Sequence, residues 1–133
     1  HYRQVRRMHE LSVCLALIDQ VEKVAQSHHA TSVDLVVLQI GPLSGVEASL
    51  LKHAFPLAVA GTLAEKSVLE IELLSIKVHC MSCGKDSDAV INRLVCGHCG
   101  DYKTQLISGD ELLLKRVGLV GIEEAENQGV AHV

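Results

Sequence analysis

Four cysteines in the second half of the 133-residue chain have the type and spacing needed to bind one metal ion. Cys80 and Cys83 form one C-x-x-C pair, and Cys96 and Cys99 form a second, 12 residues further on. This spacing lets two short knuckles converge on a single tetrahedral ion. Thiolates are soft ligands that suit Zn²⁺, and four of them leave no coordination position for water or substrate. The pattern therefore predicts a closed structural zinc site and disfavours the alternative, a pair of disulfides in a secreted protein.

Two histidines and two glycines accompany these cysteines. A glycine follows each C-x-x-C pair, as expected of a tight turn that needs positive φ. His79 precedes Cys80, and His98 lies inside the second pair. We interpret both histidines as exposed or as contacting a zinc ligand. The alternative is that an imidazole replaces a thiolate when protons compete for it, which would make the zinc site a pH-linked or metal-linked switch.

A second candidate site is the tripeptide Met8-His9-Glu10, at the predicted start of the first helix. Taken alone, a His-Glu pair at a helix start is typical of solvated polar sequence, with the acid favoured by the helix dipole. It is not a metalloprotease motif, because Val13 stands where the second histidine of H-E-x-x-H must lie. The chain also has no nucleophile and base pair, glycine-rich phosphate loop or paired carboxylates, so we predict that it is not an enzyme.

Composition narrows the class of protein further. With 48% hydrophobic residues and only three aromatic ones, the core must be mostly aliphatic. A formal charge of −4 and the lack of stacking surfaces disfavour nucleic acid as a partner. No apolar run approaches the roughly 20 residues needed to span a bilayer, and no leader pattern opens the chain. We therefore expect a soluble, cytoplasmic protein that does not bind membranes.

Apolar periodicity predicts the elements that must position these residues. A helix is expected from Leu11 to about His28 and a buried strand over Ser32–Ile40. Ser44 and Glu47 form a capping-box pattern before a second helix, which Pro56 would kink or end. The apolar stripe of the first helix comprises Cys14, Leu17, Ile18, Val21, Val24 and Ala25, and that of the second comprises Val46, Leu50, Ala54 and Leu57. Cys14 is interpreted as a small buried hydrophobic residue.

The second half of the chain predicts two strands around the metal module. Residues 68–78 read as one strand with a bulge or bend at Leu73-Leu74, and residues 111–120 read as another. The stretch between Cys99 and Gly109 is polar. We predict an α/β (α+β) fold, in which two helices pack on a small mixed sheet and a zinc-ribbon module is inserted between two of its strands. The expected division is an N-terminal extension 1–7, an α/β domain of 8–78 plus 104–120, a zinc domain 79–103 and a frayed tail 121–133.

Several motifs in this order resemble one known family. They are MHELS at residues 8–12, LQIGPLSGVE at 38–47, Ala54-Phe55, the two C-x-x-C-G knuckles, and GDELLLKRV at 109–117. Together they resemble the HypA/HybF family of hydrogenase nickel-incorporation proteins, and the resemblance covers about Met8 to Val120. It implies a metallochaperone that carries Ni²⁺ as cargo at Met8, His9 and Glu10, with Zn²⁺ held separately at the four cysteines.

The resemblance also implies partners and ligand roles. The partners would be the nickel-insertion GTPase HypB, the [NiFe]-hydrogenase large subunit and, in some organisms, urease accessory proteins, while a homodimer is left open. Imidazole suits Ni²⁺, so His9 is the side chain that the site cannot lose, and Glu10 would contribute a carboxylate or orient the imidazole. Two rival classes are a zinc-ribbon adaptor that binds no nickel and a rubredoxin-like iron protein.

The chain departs from the family pattern at its start. Family members begin at the methionine of MHE, whereas HYRQVRR precedes Met8 here. If the family's nickel site uses a terminal amine, Met8 cannot supply it in this chain, and three arginines would add positive charge near the ion. We expect these seven residues to derive from a tag, a processed terminus or a misassigned start, and to lower nickel affinity or shift its ligands if they are genuine.

Overall fold

A computed structural model describes the backbone of residues 2–121 and the side chains of residues 9–121. Over residues 2–121 the chain forms two helices and six strands. The two helices and the α+β class agree with the prediction, whereas only three strands were predicted. The observed bounds are α1 Tyr2–Ser27, β1 Ser32–Ile40, α2 Ala48–Val59, β2 Val68–Leu73, β3 Ile76–Cys80, β4 Asp86–Ala89, β5 Thr104–Ser108 and β6 Leu112–Val120. The predicted frayed tail lies outside the described residues, apart from Gly121.

Helix α1 starts earlier than its apolar stripe indicates. It already begins at Tyr2, so the expectation that Met8-His9-Glu10 stands at the helix start is wrong. The physical reason is that no proline or glycine interrupts residues 2–10, so nothing in that segment ends the helix. The buried face agrees with the predicted stripe except at Val24, which is half-buried. The chain leaves the helix at His29, whose φ is 57°.

Strand β1 has the predicted bounds and is the central strand of the sheet β2-β1-β6. The Thr31 N–H donates to the Val120 carbonyl, and the Gly41 N–H donates to that of Glu111, so β1 and β6 run antiparallel. The adjacent residues Val36, Val37 and Leu38 are all buried, so both faces of β1 are covered. Burial on both faces explains the unbroken apolar stretch from Leu35 to Leu38 in the middle of β1.

Helix α2 packs against α1, but with a different face and a different start from those predicted. The predicted capping box is wrong: Glu47 is the N-cap residue and its side chain makes no capping hydrogen bond to α2, while the Ser44 hydroxyl accepts from the Val46 N–H. Of the predicted stripe only Ala54 is buried, and Leu57 is 71% exposed. The buried residues of α2 are Leu51, Ala54, Phe55, Ala58 and Val59. Apolar residues at 50, 51, 54, 55, 57 and 58 permit two phases, so periodicity alone could not choose between them.

The predicted strand over residues 68–78 is wrong, because it is two strands in two sheets. β2 ends at Leu73 and β3 begins at Ile76, so the shift of alternation at Leu73-Leu74 marks a change of sheet rather than a bulge. The Leu74 N–H donates to the Ile40 carbonyl at 2.8 Å. The second sheet has the order β4-β3-β5 with antiparallel pairs, and His79 is paired with Asp86. Strand β5 is not predicted from the sequence, because it lies in the mainly polar stretch before Gly109 and its five residues include only two apolar ones.

The chain divides into two compact units. Of the described residues, one unit comprises 2–38, 47–71 and 114–121, and the other comprises 39–46 and 72–113. Since β2 and β6 belong to one sheet, the segment that carries the cysteines is inserted between two strands of one sheet, as predicted. The functional division into 8–78 plus 104–120 and 79–103 stays a prediction. Among residues 2–121, no helix has both the length and the apolar character needed to cross a membrane.

The buried face of α2 gives a stability prediction. Leu51→Ala removes a fully buried side chain and should lower the free energy of unfolding by about 2–5 kcal/mol. Leu57→Ala on the same helix removes an exposed side chain and should change it by less than about 0.5 kcal/mol. Urea denaturation of both variants checks this, and equal losses would contradict the observed phase of α2.

Candidate metal sites

The four predicted cysteines come together at one point of the second unit. Their Sγ atoms all lie within 4.8 Å of one another. Two pairs that join different knuckles, Cys80 with Cys99 and Cys83 with Cys96, are each 3.6 Å apart. A tetrahedral zinc ion with Zn–S bonds of about 2.3 Å places its sulfur atoms about 3.8 Å apart. The cluster therefore fits zinc, and none of its cysteines forms a disulfide.

The first knuckle surrounds its leading thiol with backbone amides. The N–H groups of Ser82 and Cys83 both donate to Cys80 Sγ at 3.4 Å. The Gly84 N–H closes the turn on the Cys80 carbonyl at 3.0 Å, and Gly84 has the positive φ of 76° predicted for this position. These bonds favour the thiolate and orient it.

The second knuckle repeats the same bonds around Cys96. The N–H groups of His98 and Cys99 donate to Cys96 Sγ at 3.3 and 3.4 Å, and the Gly100 N–H donates to the Cys96 carbonyl at 3.0 Å. Gly100 has a φ of 78°. Two copies of one turn facing each other produce a four-thiol cluster from two short segments.

Electrostatics of the cluster favours a bound cation. The amide hydrogen bonds, that from Cys83 first, hold the pKa of Cys80 below its ordinary value, and those from Cys99 and His98 lower the pKa of Cys96 to about 6. The Asp101 amide lowers the pKa of the Cys99 thiol, but the neighbouring Cys80 thiol, lost solvation and the other two thiols together raise it to about 12. Like charges this close oppose full ionisation, so four thiolates need a positive ion between them.

The two histidines beside the knuckles both contact Asp86. His79 Nδ1 lies 2.6 Å from Asp86 Oδ1, and His98 Nε2 donates to the Asp86 carbonyl at 3.2 Å. Each imidazole thus has one nitrogen engaged away from the sulfur cluster. Their interpretation as residues beside the zinc ligands stays a prediction. Asp86 carries no sequence signal of its own, because its partners lie 7 and 12 residues away.

Helix α1 places the side chains of His9 and Glu10 in different environments. His9 is exposed, whereas Glu10 is only 1% exposed. Glu10 Oε2 accepts from the Glu47 N–H at 2.9 Å, and Oε1 has no hydrogen bond to any residue whose side chain the structure describes. The Met8 side chain lies outside the described residues. The structure therefore presents the imidazole to solvent and turns the carboxylate inward.

Cys14 lies one helical turn after Glu10 and is buried, which confirms its interpretation as a core residue. Its Sγ donates to the Leu51 carbonyl at 3.6 Å. Burial, and then the charge of Glu10, raise the pKa of the Cys14 thiol to about 11. Cys14 is thus a neutral thiol and has no part in the four-cysteine cluster.

Taken together, the fold and the cluster define an α+β metal-binding protein with a four-cysteine zinc site and a separate, exposed histidine on its first helix. The comparisons with known proteins identify the family. Residues 8–119 match the family model described as "Hydrogenase/urease nickel incorporation, metallochaperone, hypA", and the chain belongs to this family.

Relatives and solved structures agree with this assignment. The chain is 52% identical to the hydrogenase maturation factor HypA of Nitrosospira multiformis, over 85% of this chain and 98% of that one. It is 43% identical to HypA of Aquifex aeolicus, over 84% and 97%. The solution structure of a HypA protein matches with a TM-score of 0.65 and 26% identity, over 85% and 97%. That of the Ni metallochaperone HypA from Helicobacter pylori matches in fold, with a TM-score of 0.63 and 24% identity, over 84% and 97%.

The buried carboxylate gives a prediction for α1. Glu10→Ala removes the acceptor of the Glu47 N–H and should lower the free energy of unfolding by about 1–3 kcal/mol. Glu10→Gln keeps an acceptor oxygen and should lower it less, and Gln20→Ala, an exposed change on the same helix, should leave it nearly unchanged. Thermal or urea unfolding of the three variants measures these changes in the free energy of unfolding. Equal stability of Glu10→Ala and the parent chain would contradict the buried bond.

The cluster gives a second prediction, for metal removal. Stripping zinc with a chelator should speed hydrogen exchange at the knuckle amides of Cys83 and Cys99, because both donate to thiolates that the ion holds in place. The amides of β1 serve as the internal control and should keep their protection. Hydrogen exchange with mass spectrometry measures the protection of both segments. Unchanged protection of the knuckle amides would contradict the prediction and mean that the turns stay folded without metal.

Proposed function

We propose that this member of the HypA family binds Ni²⁺ through His9 and delivers it during maturation of [NiFe]-hydrogenase, while zinc stays at Cys80, Cys83, Cys96 and Cys99. One observation carries the proposal: the chain offers two ligand sets of different chemistry, four clustered thiols and one exposed imidazole on α1. The thiol set is closed and suits a structural ion, whereas an exposed imidazole can gain and lose a metal. Family membership supports nickel as the cargo.

The helical state of residues 8–10 constrains how nickel binds. In an α-helix each interior N–H donates to the carbonyl four residues earlier, so an amide nitrogen of this segment is already engaged. Square-planar coordination by backbone nitrogens would therefore require α1 to open at the motif. We propose that His9 is the first contact, and that Met8 and further ligands join when this opening occurs.

Glu10 faces a similar constraint. To ligate nickel its carboxylate must leave the buried position where it accepts from the Glu47 N–H. A ligand role for Glu10 and its role in holding α1 to the start of α2 are therefore alternatives in any one state. The bond to Glu47 supports a role for Glu10 in positioning His9 before nickel binds.

The remaining sequence-based assignments stay proposals of the same function. The acceptor would be the hydrogenase large subunit, with the GTPase HypB and, in some organisms, urease accessory proteins as further partners, and α1 near His9 as the docking surface. Exchange of a zinc thiolate for His79 or His98 would require the contacts with Asp86 to break. A homodimer and the cytoplasmic location remain predictions. The runner-up is a zinc-ribbon adaptor that carries no nickel.

A nickel titration of matched variants tests the proposal. His9→Ala should abolish or strongly weaken Ni²⁺ binding and leave one zinc per chain, because the thiol cluster does not include His9. His53→Ala is the control, since His53 is an exposed histidine on α2 whose Nδ1 lies 2.8 Å from the carbonyl of Ser49. Calorimetry with metal analysis measures both ions. Unchanged nickel binding by His9→Ala would refute the site at Met8-His9-Glu10 and favour the zinc-ribbon adaptor.

A further inference from the structure

Strand β4 carries two polar residues on which the second knuckle rests. The Gly97 N–H donates to Ser87 Oγ at 2.8 Å, and the His98 imidazole donates to the Asp86 carbonyl at 3.2 Å. A Cβ at residue 97 would lie 3.2 Å from the Ser87 Cβ, so the absence of a side chain there permits the close approach. We call Asp86 and Ser87 the knuckle seat.

The same seat is fixed to the strand that leads into the first knuckle. His79 and Asp86 are paired between β3 and β4, and His79 Nδ1 lies 2.6 Å from Asp86 Oδ1. Cys80 directly follows His79 in β3. The seat therefore joins the two halves of the sulfur cluster: it contacts the first through β3 and the second through Gly97 and His98.

These contacts fix the relative positions of the two cysteine pairs. Residues 84–95 connect the knuckles along the chain, and without a second link they would let the pairs move apart or rotate. A further bond, from Ser82 Oγ to Asp101 Oδ2, also joins the two knuckle segments. With the seat in place, the four sulfur atoms keep the mutual distances of a tetrahedron.

We propose that the knuckle seat makes the cysteine site selective for zinc against nickel, which is the protein's cargo. Ni²⁺ and Zn²⁺ bind nitrogen and sulfur ligands with affinities close enough that geometry must separate them, and Ni²⁺ favours square-planar coordination. Flattening the cluster would require the second knuckle to rotate, which breaks the bonds from Gly97 and His98 to the seat. His98 is in this view a positioning residue that holds its knuckle and does not ligate zinc.

The zinc part of the proposal is tested without nickel. Ser87→Ala and His98→Ala should each release zinc to a chromogenic chelator about tenfold faster than the parent chain, the scale found when a residue that supports a metal ligand is lost. Ser75→Ala, an exposed serine of the same unit, is the matched control and should not change the rate. The Co²⁺-substituted proteins should keep the absorption spectrum of four-sulfur coordination in all three variants.

The selectivity part uses a nickel challenge of zinc-loaded protein. Excess Ni²⁺ should produce the near-ultraviolet thiolate-to-nickel band in Ser87→Ala and His98→Ala but not in the parent chain or in Ser75→Ala. Three results would each overturn the proposal: unchanged zinc release in Ser87→Ala or His98→Ala, a Co²⁺ spectrum altered by His98→Ala, or no nickel band in these two variants. Because the band reports the thiols alone, loss of nickel binding in His9→Ala is a separate result that bears only on the cargo site.

Discussion

Mutual repulsion between four thiolates is the constraint on which the second unit depends. Backbone amides favour ionisation of Cys80 and Cys96, yet amides alone cannot neutralise four negative charges within 4.8 Å. A divalent cation removes this repulsion and at the same time ties two distant segments together. The three-stranded sheet β4-β3-β5 is small and largely exposed, so the metal supplies cohesion that its few buried side chains cannot.

The two candidate ligand sets differ in ligand chemistry and in the number of ligands that each supplies. The sulfur ligands sit in turns that leave no open coordination position, which suits an ion that stays. His9 is exposed on α1, and under the proposed function this exposure would let an acceptor reach a nickel ion bound there.

Sequence predicted the parts of this molecule whose determinants are local. The zinc cluster follows from spacing and from glycines at positive φ. Strand β1 follows from its aliphatic and β-branched residues, most of which are buried, and from the turn that ends it at Gly41. The phase of α2 did not follow, because apolar residues occupy two helical faces and only packing selects Leu51 over Leu57. Strand β5 and the contacts of Ser87 could not be predicted either. Both depend on pairing with residues that are distant in the sequence: β5 pairs with β3, and Ser87 binds the Gly97 N–H.

The bond between Glu10 and the Glu47 amide has a consequence for how such sites are studied. Helix α2 has no side-chain cap of its own, and the carboxylate from α1 supplies the acceptor near its first turn. A short synthetic peptide copied from α1 contains no α2, so its glutamate is free in water and its backbone is not held helical. Metal affinities measured on such a peptide describe a ligand set with one more available carboxylate and with unengaged amides. In the folded chain, the free energy needed to open α1 must be spent before the Glu10 carboxylate or these backbone amides can bind a metal.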